Sequence, residues 1–118
     1  MSEKTIEIEE NETYTIVKTP IKFDATITSE FKQKLIILYS TGVSNFIIDM
    51  NNTEYCDASG LSTLLVANRL SRTSNGVCFV VNRQKAVKEL FTVSQLEQVF
   101  SFCDNVPDAV SLITTKNN

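Results

Sequence analysis

Two short apolar runs, Asn45-Phe46-Ile47-Ile48-Asp49-Met50 and Val77-Cys78-Phe79-Val80-Val81, constrain the fold more than any other feature of the chain. Neither alternates apolar with polar residues, so neither can lie with one face in water. A strand made from such a run has to be covered on both sides, as in a parallel sheet under helices. The segment between the runs supplies the crossover. Leu61, Leu64 and Leu65 recur there at helical spacing, with Arg69 and Arg72 toward the C-terminal end, where cations complement the helix dipole. The spacing predicts a helix from about Ala58 to Ser74, stopped by Asn75-Gly76.

The remaining elements arrange themselves around this unit. From about Thr5 to Glu10, Ile6 and Ile8 alternate with Glu7 and Glu9, the period of a half-buried strand. Asn11-Glu12 reads as a hairpin turn and Thr13 to Lys18 as the returning strand, with regular pairing weakening at Pro20. Asp24, Thr26 or Thr28 could each cap a helix between Thr26 and Thr41, whose Phe31, Leu35, Leu38 and Tyr39 share one face and which Gly42 ends. After Asn82 breaks the second apolar run, Ala86, Val87, Leu90 and Phe91 form a helical stripe with Lys85, Lys88 and Glu89 turned to water. A turn around Ser94 to Glu97 leads to a strand at Val99–Cys103. Asp104 or Asn105 then caps a last helix carrying Val106, Ala109, Val110, Leu112 and Ile113. Thr114 to Asn118 is a polar, frayed tail. The order β-β-α-β-α-β-α-β-α predicts one α/β domain over 1–118, core about 5–113, with a mixed sheet and helices packed against it.

Composition removes whole classes of function. Fourteen acidic and 11 basic residues leave a net charge of -3, with no clustered Lys and Arg for a nucleic-acid backbone. No apolar run approaches the roughly 20 residues that span a bilayer, and the first residues lack a signal peptide's apolar segment, so a cytoplasmic protein without membrane insertion is expected. Histidine is absent, which eliminates Ser-His-Asp triads, Cys-His pairs and histidine-ligated metals together. Three widely spaced cysteines, Cys56, Cys78 and Cys103, fit neither a disulfide framework nor a zinc site; the last two sit in apolar runs. Asp57 should disfavour a Cys56 thiolate. No metal, cofactor or catalytic residue is expected, and the chain reads as a binding protein rather than an enzyme.

Function concentrates in Tyr55-Cys56-Asp57-Ala58-Ser59-Gly60-Leu61, where the β-rich half ends and a helix begins. Ser59 reads either as a helix cap, worth roughly 1 kcal/mol, or as a phosphoacceptor at a helix N-terminus, whose partial positive charge tolerates an anion. Gly60 either relieves crowding at a tight turn or permits close approach by another protein. Asp57 serves as a turn or capping residue, or orients the neighbouring hydroxyl. Val66 and Leu70 lie round the helix from the leucine stripe, so either a wide face is buried or part of it is an exposed docking patch. Asp24 and Asp57 as an acid/base pair is the weaker reading, since carboxylates are common at loop starts.

The element order and the segment Asp57-Ala58-Ser59-Gly60-Leu61 after a hydrophobic strand resemble the STAS family, named for sulfate transporters and anti-sigma factor antagonists, from about Thr13 to Ile113. Tyr55 stands where the family often has an aromatic residue, and Val87-Lys88-Glu89-Leu90-Phe91 followed by Leu96 is similar to its later helix and turn. Two places depart from the family pattern. Ala58 stands where many antagonists carry another serine, and Ile21-Lys22-Phe23-Asp24 replaces a glycine-containing approach to the aspartate.

The resemblance implies a stand-alone, monomeric antagonist. Its unmodified form captures a serine-kinase anti-sigma factor, phosphorylation of Ser59 releases that partner, and a metal-dependent serine phosphatase reverses the modification. It further implies partner binding through Asp24, Asp57, Ala58, Gly60, Leu61, Ser62 and Thr63, with Ser62 and Thr63 poor second choices as acceptors. The alternative is a non-switching subunit docking on an ABC-transporter ATPase of lipid transport or on a stress-signalling scaffold. A Ser59 hydrolase is a third reading, made improbable by the missing histidine.

Overall fold

The two apolar runs become adjacent strands at the centre of a sheet. The computed structural model describes residues 3–116. In chain order its elements are β1 (Glu7–Glu10), β2 (Thr15–Lys18), β3 (Lys22–Phe23), α1 (Thr28–Ser40), β4 (Phe46–Asp49), β5 (Tyr55–Cys56), α2 (Ala58–Thr73), β6 (Cys78–Val81), α3 (Lys85–Val93), β7 (Ser101–Cys103) and α4 (Val106–Lys116). The main sheet runs β1-β2-β4-β6-β7; β1 is antiparallel to β2 and every other pairing in it is parallel. The predicted α/β order therefore holds, with two additions, β3 and β5, which pair in parallel as a separate small sheet.

Burial on both faces explains the composition of the central strands. Phe46, Ile48, Cys78 and Val80 pack beneath α1, α2 and α3, against Phe31, Leu35, Leu64, Ala67, Val87 and Phe91. Ile47 and Val81 face the other way, onto Ala109 and Ile113 of α4. Phe46, Ile47 and Ile48 have no exposed surface, and burial of each side chain supplies roughly 1.5–3 kcal/mol. Asp49 closes β4 and is buried, but its Oδ1 accepts hydrogen bonds from the Asn51 backbone N–H and the Asn82 side-chain amide, both at 3.0 Å. A buried carboxylate is tolerable when its lone pairs are occupied in this way.

Several local expectations shift. α1 begins at Thr28, and none of Asp24, Thr26 or Thr28 caps it: the cap position is Ile27, with no side-chain hydrogen bond. Ile27 is 5% exposed, and its burial beside Phe31 outweighs the preference for a polar cap. Tyr39 is half-buried, whereas Ile36 and Ile37 of the same helix are exposed. Val66 and Leu70 are both half-buried and Leu70 packs on the core, which is the wide-face arrangement rather than an apolar docking patch. Gly42, with φ +104, and Asn75, with φ +61, take the left-handed backbone that ends α1 and α2. β7 starts at Ser101 rather than Val99, which is surface-exposed, and Asn105 caps α4 by accepting from the Asp108 N–H at 2.9 Å. The tail expected from Thr114 is helical through Lys116; its last two residues, like Met1 and Ser2, lie outside the described residues. No helix among the described residues is long and apolar enough to cross a membrane.

Candidate functional site

The small β3–β5 sheet holds two loops side by side. β3 ends at Phe23 and hands the chain to Asp24; β5 ends at Cys56 and hands it to Asp57. The pairing is extended at both ends, since Glu54 N–H donates to Ile21 O at 3.0 Å and Asp57 N–H to Phe23 O at 3.4 Å. Asp57 is thereby fixed in extended backbone, φ -110 and ψ -175, directly before the first turn of α2.

Asp57, not Ser59, is the helix cap. Its Oδ1 accepts from the Gly60 N–H at 3.1 Å and from the Ser59 hydroxyl at 2.6 Å. The Ser59 hydroxyl, the Gly60 and Ser59 backbone amides and the Ala25 amide together hold the Asp57 carboxyl below the usual carboxylate range, against the opposing effect of burial. The Ala25 amide, the weakest of these influences, belongs to the Asp24 loop, so that loop also favours the charged form of the carboxyl. Ser59 occupies the second helical position, half-exposed, with its proton on Asp57.

The other expected site residues divide by burial. Ala58 and Ser62 are exposed. Gly60, Leu61 and Thr63 are buried and shape the loop from beneath. The hydroxyls of Ser62 and Thr63 donate to the carbonyls of Ala58 and Ser59, both at 3.0 Å, so their protons are committed to the helix backbone. Gly60 answers crowding from within the chain, because a Cβ there would lie 2.6 Å from Phe23 O and 2.8 Å from Cys56 Sγ. Cys56 itself is buried, and desolvation followed by the Asp57 charge pushes its thiol up to about 12; no thiolate forms there near neutral pH.

Asp24 sits at the other loop in an ion pair that the sequence did not announce. Lys4 Nζ lies 2.7 Å from its Oδ1, and the same oxygen accepts from Thr26 N–H at 3.0 Å and Thr26 Oγ1 at 2.6 Å. Lys4 first and Thr26 second hold the carboxyl at about 2. Nothing around Lys4 in the sequence marks it, since the partners are 20 residues apart. Because the folded-state value lies below the unfolded one of about 3.9, the stability this group contributes is present above pH 4 and is lost as pH falls toward 2. Urea melts between pH 5 and 2 should therefore show wild-type protein losing more stability than Asp24→Asn; parallel curves would show that the Lys4–Asp24 contact contributes nothing.

Among the described residues no group of three or more His, Cys, Asp or Glu is placed to hold a metal ion. The arrangement is a hydroxyl and two carboxylates of depressed pKa presented by two adjoining loops.

The sequence matches the STAS domain over residues 5–109. Among solved structures, the anti-sigma factor antagonist SpoIIAA in its unphosphorylated form aligns with a TM-score of 0.80 at 15% identity, covering 97% of this chain and 98% of that one. An anti-sigma factor antagonist from Mycobacterium paratuberculosis gives a TM-score of 0.82 at 18% identity, covering 93% of each chain. SpoIIAA from Bacillus in its phosphorylated form gives 0.75 at 16% identity, covering 92% of this chain and 99% of that one. These likenesses establish a shared fold. No curated protein sequence matches the chain.

Proposed function

The chain belongs to the STAS domain family, matched from residue 5 to residue 109, and from that premise we propose that it is a phosphorylation-switched antagonist of an anti-sigma factor. In this reading it is a cytoplasmic binding protein and not an enzyme. It captures a serine-kinase anti-sigma factor while Ser59 carries a free hydroxyl and releases it once Ser59 is phosphorylated. A metal-dependent serine phosphatase restores the hydroxyl by hydrolysis.

The observation that carries the reading is the half-exposed Ser59 hydroxyl, hydrogen-bonded to Asp57 Oδ1 at 2.6 Å in the first turn of α2. That bond occupies the proton and leaves the oxygen's lone pairs free to attack. In transfer from ATP, the Oγ–phosphorus bond forms as the bond from the γ-phosphorus to ADP breaks, and the hydroxyl proton passes to a base on the kinase. Asp57, held ionised by its own hydrogen bonds, orients the hydroxyl and is too weak a base to take the proton permanently.

The product differs from the starting state at one surface point. A phosphate adds about -1.5 to -2 charges, which must leave the Asp57 carboxylate because two anions cannot share the former hydrogen bond. Repulsion between unit charges about 4 Å apart is on the order of 1 kcal/mol in water and about 4 kcal/mol near a protein surface. The N-terminus of α2 offsets part of this within the chain, whereas a partner fitted to the neutral hydroxyl has no such relief. Exposed Ala58 and Ser62, with Asp24 and Asp57, form the rest of the contact surface.

Incubation with ATP and the serine kinases of the host, followed by phosphate mapping by mass spectrometry, tests the reading. Label on Ser59 from one of those kinases is the expected result. No label on Ser59 from any of them overturns it and favours a constitutive subunit docking on an ATPase or a scaffold.

A further inference from the structure

α3 packs against β5, the strand that delivers Asp57 to the start of α2, and between them lies a groove of about 320 Å3. Tyr55, Ala86, Leu90 and Val93 line it, together with the acidic residues Glu54 and Glu89. Leu90 and Val93 lie four and seven residues beyond Ala86, and Glu89 three beyond it, so a single face of α3 forms one wall. The basic residues of that helix, Lys85 and Lys88, do not line it.

Two features of this groove have no explanation within the chain. Tyr55 is 53% exposed and Val93 80% exposed, which forgoes burial that is worth roughly 1.5–3 kcal/mol for a large apolar side chain. Both glutamates are exposed, and neither makes an ion pair among the described residues. The groove also lies beside the strand that leads into the Ser59 loop, since Tyr55 and Cys56 of β5 line it. Cys56 contributes to its lining, and Cys56 Sγ lies 2.8 Å from where a Gly60 Cβ would stand, so the groove and the first turn of α2 share a wall.

The geometry points to a docking groove for the same kinase that modifies Ser59, filled by an apolar side chain on a kinase segment that carries Lys or Arg beside it. The inference rests on the phosphorylation reading and adds to it a second point of contact. Apolar walls supply the anchor, and the two carboxylates supply charge complementarity that steers a basic segment and rejects an acidic one. A kinase held there is positioned over the hydroxyl four residues beyond Tyr55, and its affinity depends on side chains that take no part in phosphate transfer.

Steady-state phosphorylation of Ser59, with the kinase that labels the wild-type protein as the probe, tests this on Val93→Lys and Glu89→Lys. Both positions are exposed, so both variants should keep the fold, which thermal melting checks. Val93→Lys is expected to raise KM about 10-fold and Glu89→Lys about 5-fold, with kcat unchanged, because the loss lies in docking rather than in transfer. Glu89→Lys should also flatten the rise of KM with salt. Lys88→Gln, on the same helix but outside the groove, should stay within about two-fold of wild type. Wild-type KM in both groove variants, or a fall in kcat in place of a rise in KM, overturns the groove while leaving the switch standing. Absence of label on the wild-type protein overturns both.

Discussion

A Ser59→Ala protein is expected to hold its kinase partner persistently and to remain bound when ATP is added, while Ser59→Asp binds it more weakly by about 1–3 kcal/mol, roughly 5- to 150-fold. Alanine removes the only hydroxyl of the first turn whose proton points at a carboxylate rather than at a helix carbonyl. The neutral surface survives and the acceptor does not. Aspartate places a second carboxylate beside Asp57, removes one hydrogen-bond donor from it and confronts the partner with new charge. The fold has little reason to suffer, since an acidic residue in the first turn of a helix contributes about 0.3–1 kcal/mol, and Asp57 keeps the Gly60 amide. Calorimetry with and without ATP separates the outcomes. Equal affinities for the two variants would remove the switch, and a Ser59→Asp chain that fails to fold would show that the hydroxyl's role is structural.

The parts of this architecture that the sequence displayed are those built from many residues acting together. β4 and β6 were legible because each is a run of apolar side chains covered on both faces, and α2 because its leucines recur over several turns. β3 and β5 were not legible. Two residues carry no periodicity, and these strands exist because Phe23 is buried among Phe31 and the helix start while the chain on either side is tied by backbone hydrogen bonds. The same limit applies to α1: Ile27 holds the cap position because of what it packs against, which is a tertiary fact. At the candidate site the hydrogen bond from Ser59 to Asp57 spans two residues and follows from local helix-start geometry. Lys4 reaching Asp24, and Tyr55 and Val93 lining one groove, connect segments that only the folded chain brings together. Burial of Leu61 and Thr63 likewise comes from the pose of α2 on the sheet, which a loop motif does not specify.

Gly60→Ala should destabilise the protein by about 1–2 kcal/mol, opposite in sign to the usual effect of that change in a helix. Alanine ordinarily gains roughly 0.5–1 kcal/mol over glycine there. Here the added methyl would stand 2.6 Å from the Phe23 carbonyl oxygen and 2.8 Å from Cys56 Sγ. Neither neighbour can retreat cheaply. Phe23 is fully buried with its ring 4.8 Å from that of Phe31, and its carbonyl also accepts from the Asp57 amide. Overpacking against such neighbours costs about 1–3 kcal/mol and occasionally more, which outweighs the propensity gain. Chemical denaturation at neutral pH checks the magnitude, and thermal melting should show Tm falling by about 5 °C for a domain of this size. The strain is relieved most directly by sliding the start of α2 away from β3, and that movement withdraws the Gly60 amide from Asp57. The Asp57–Ser59 pair would then lose its fixed geometry, so Gly60→Ala should also lower the rate at which Ser59 is labelled under conditions where the variant is still folded. A variant as stable as wild type would show that α2 does not rest on β3 through this glycine, and the account of how the two loops are held in register would fail with it.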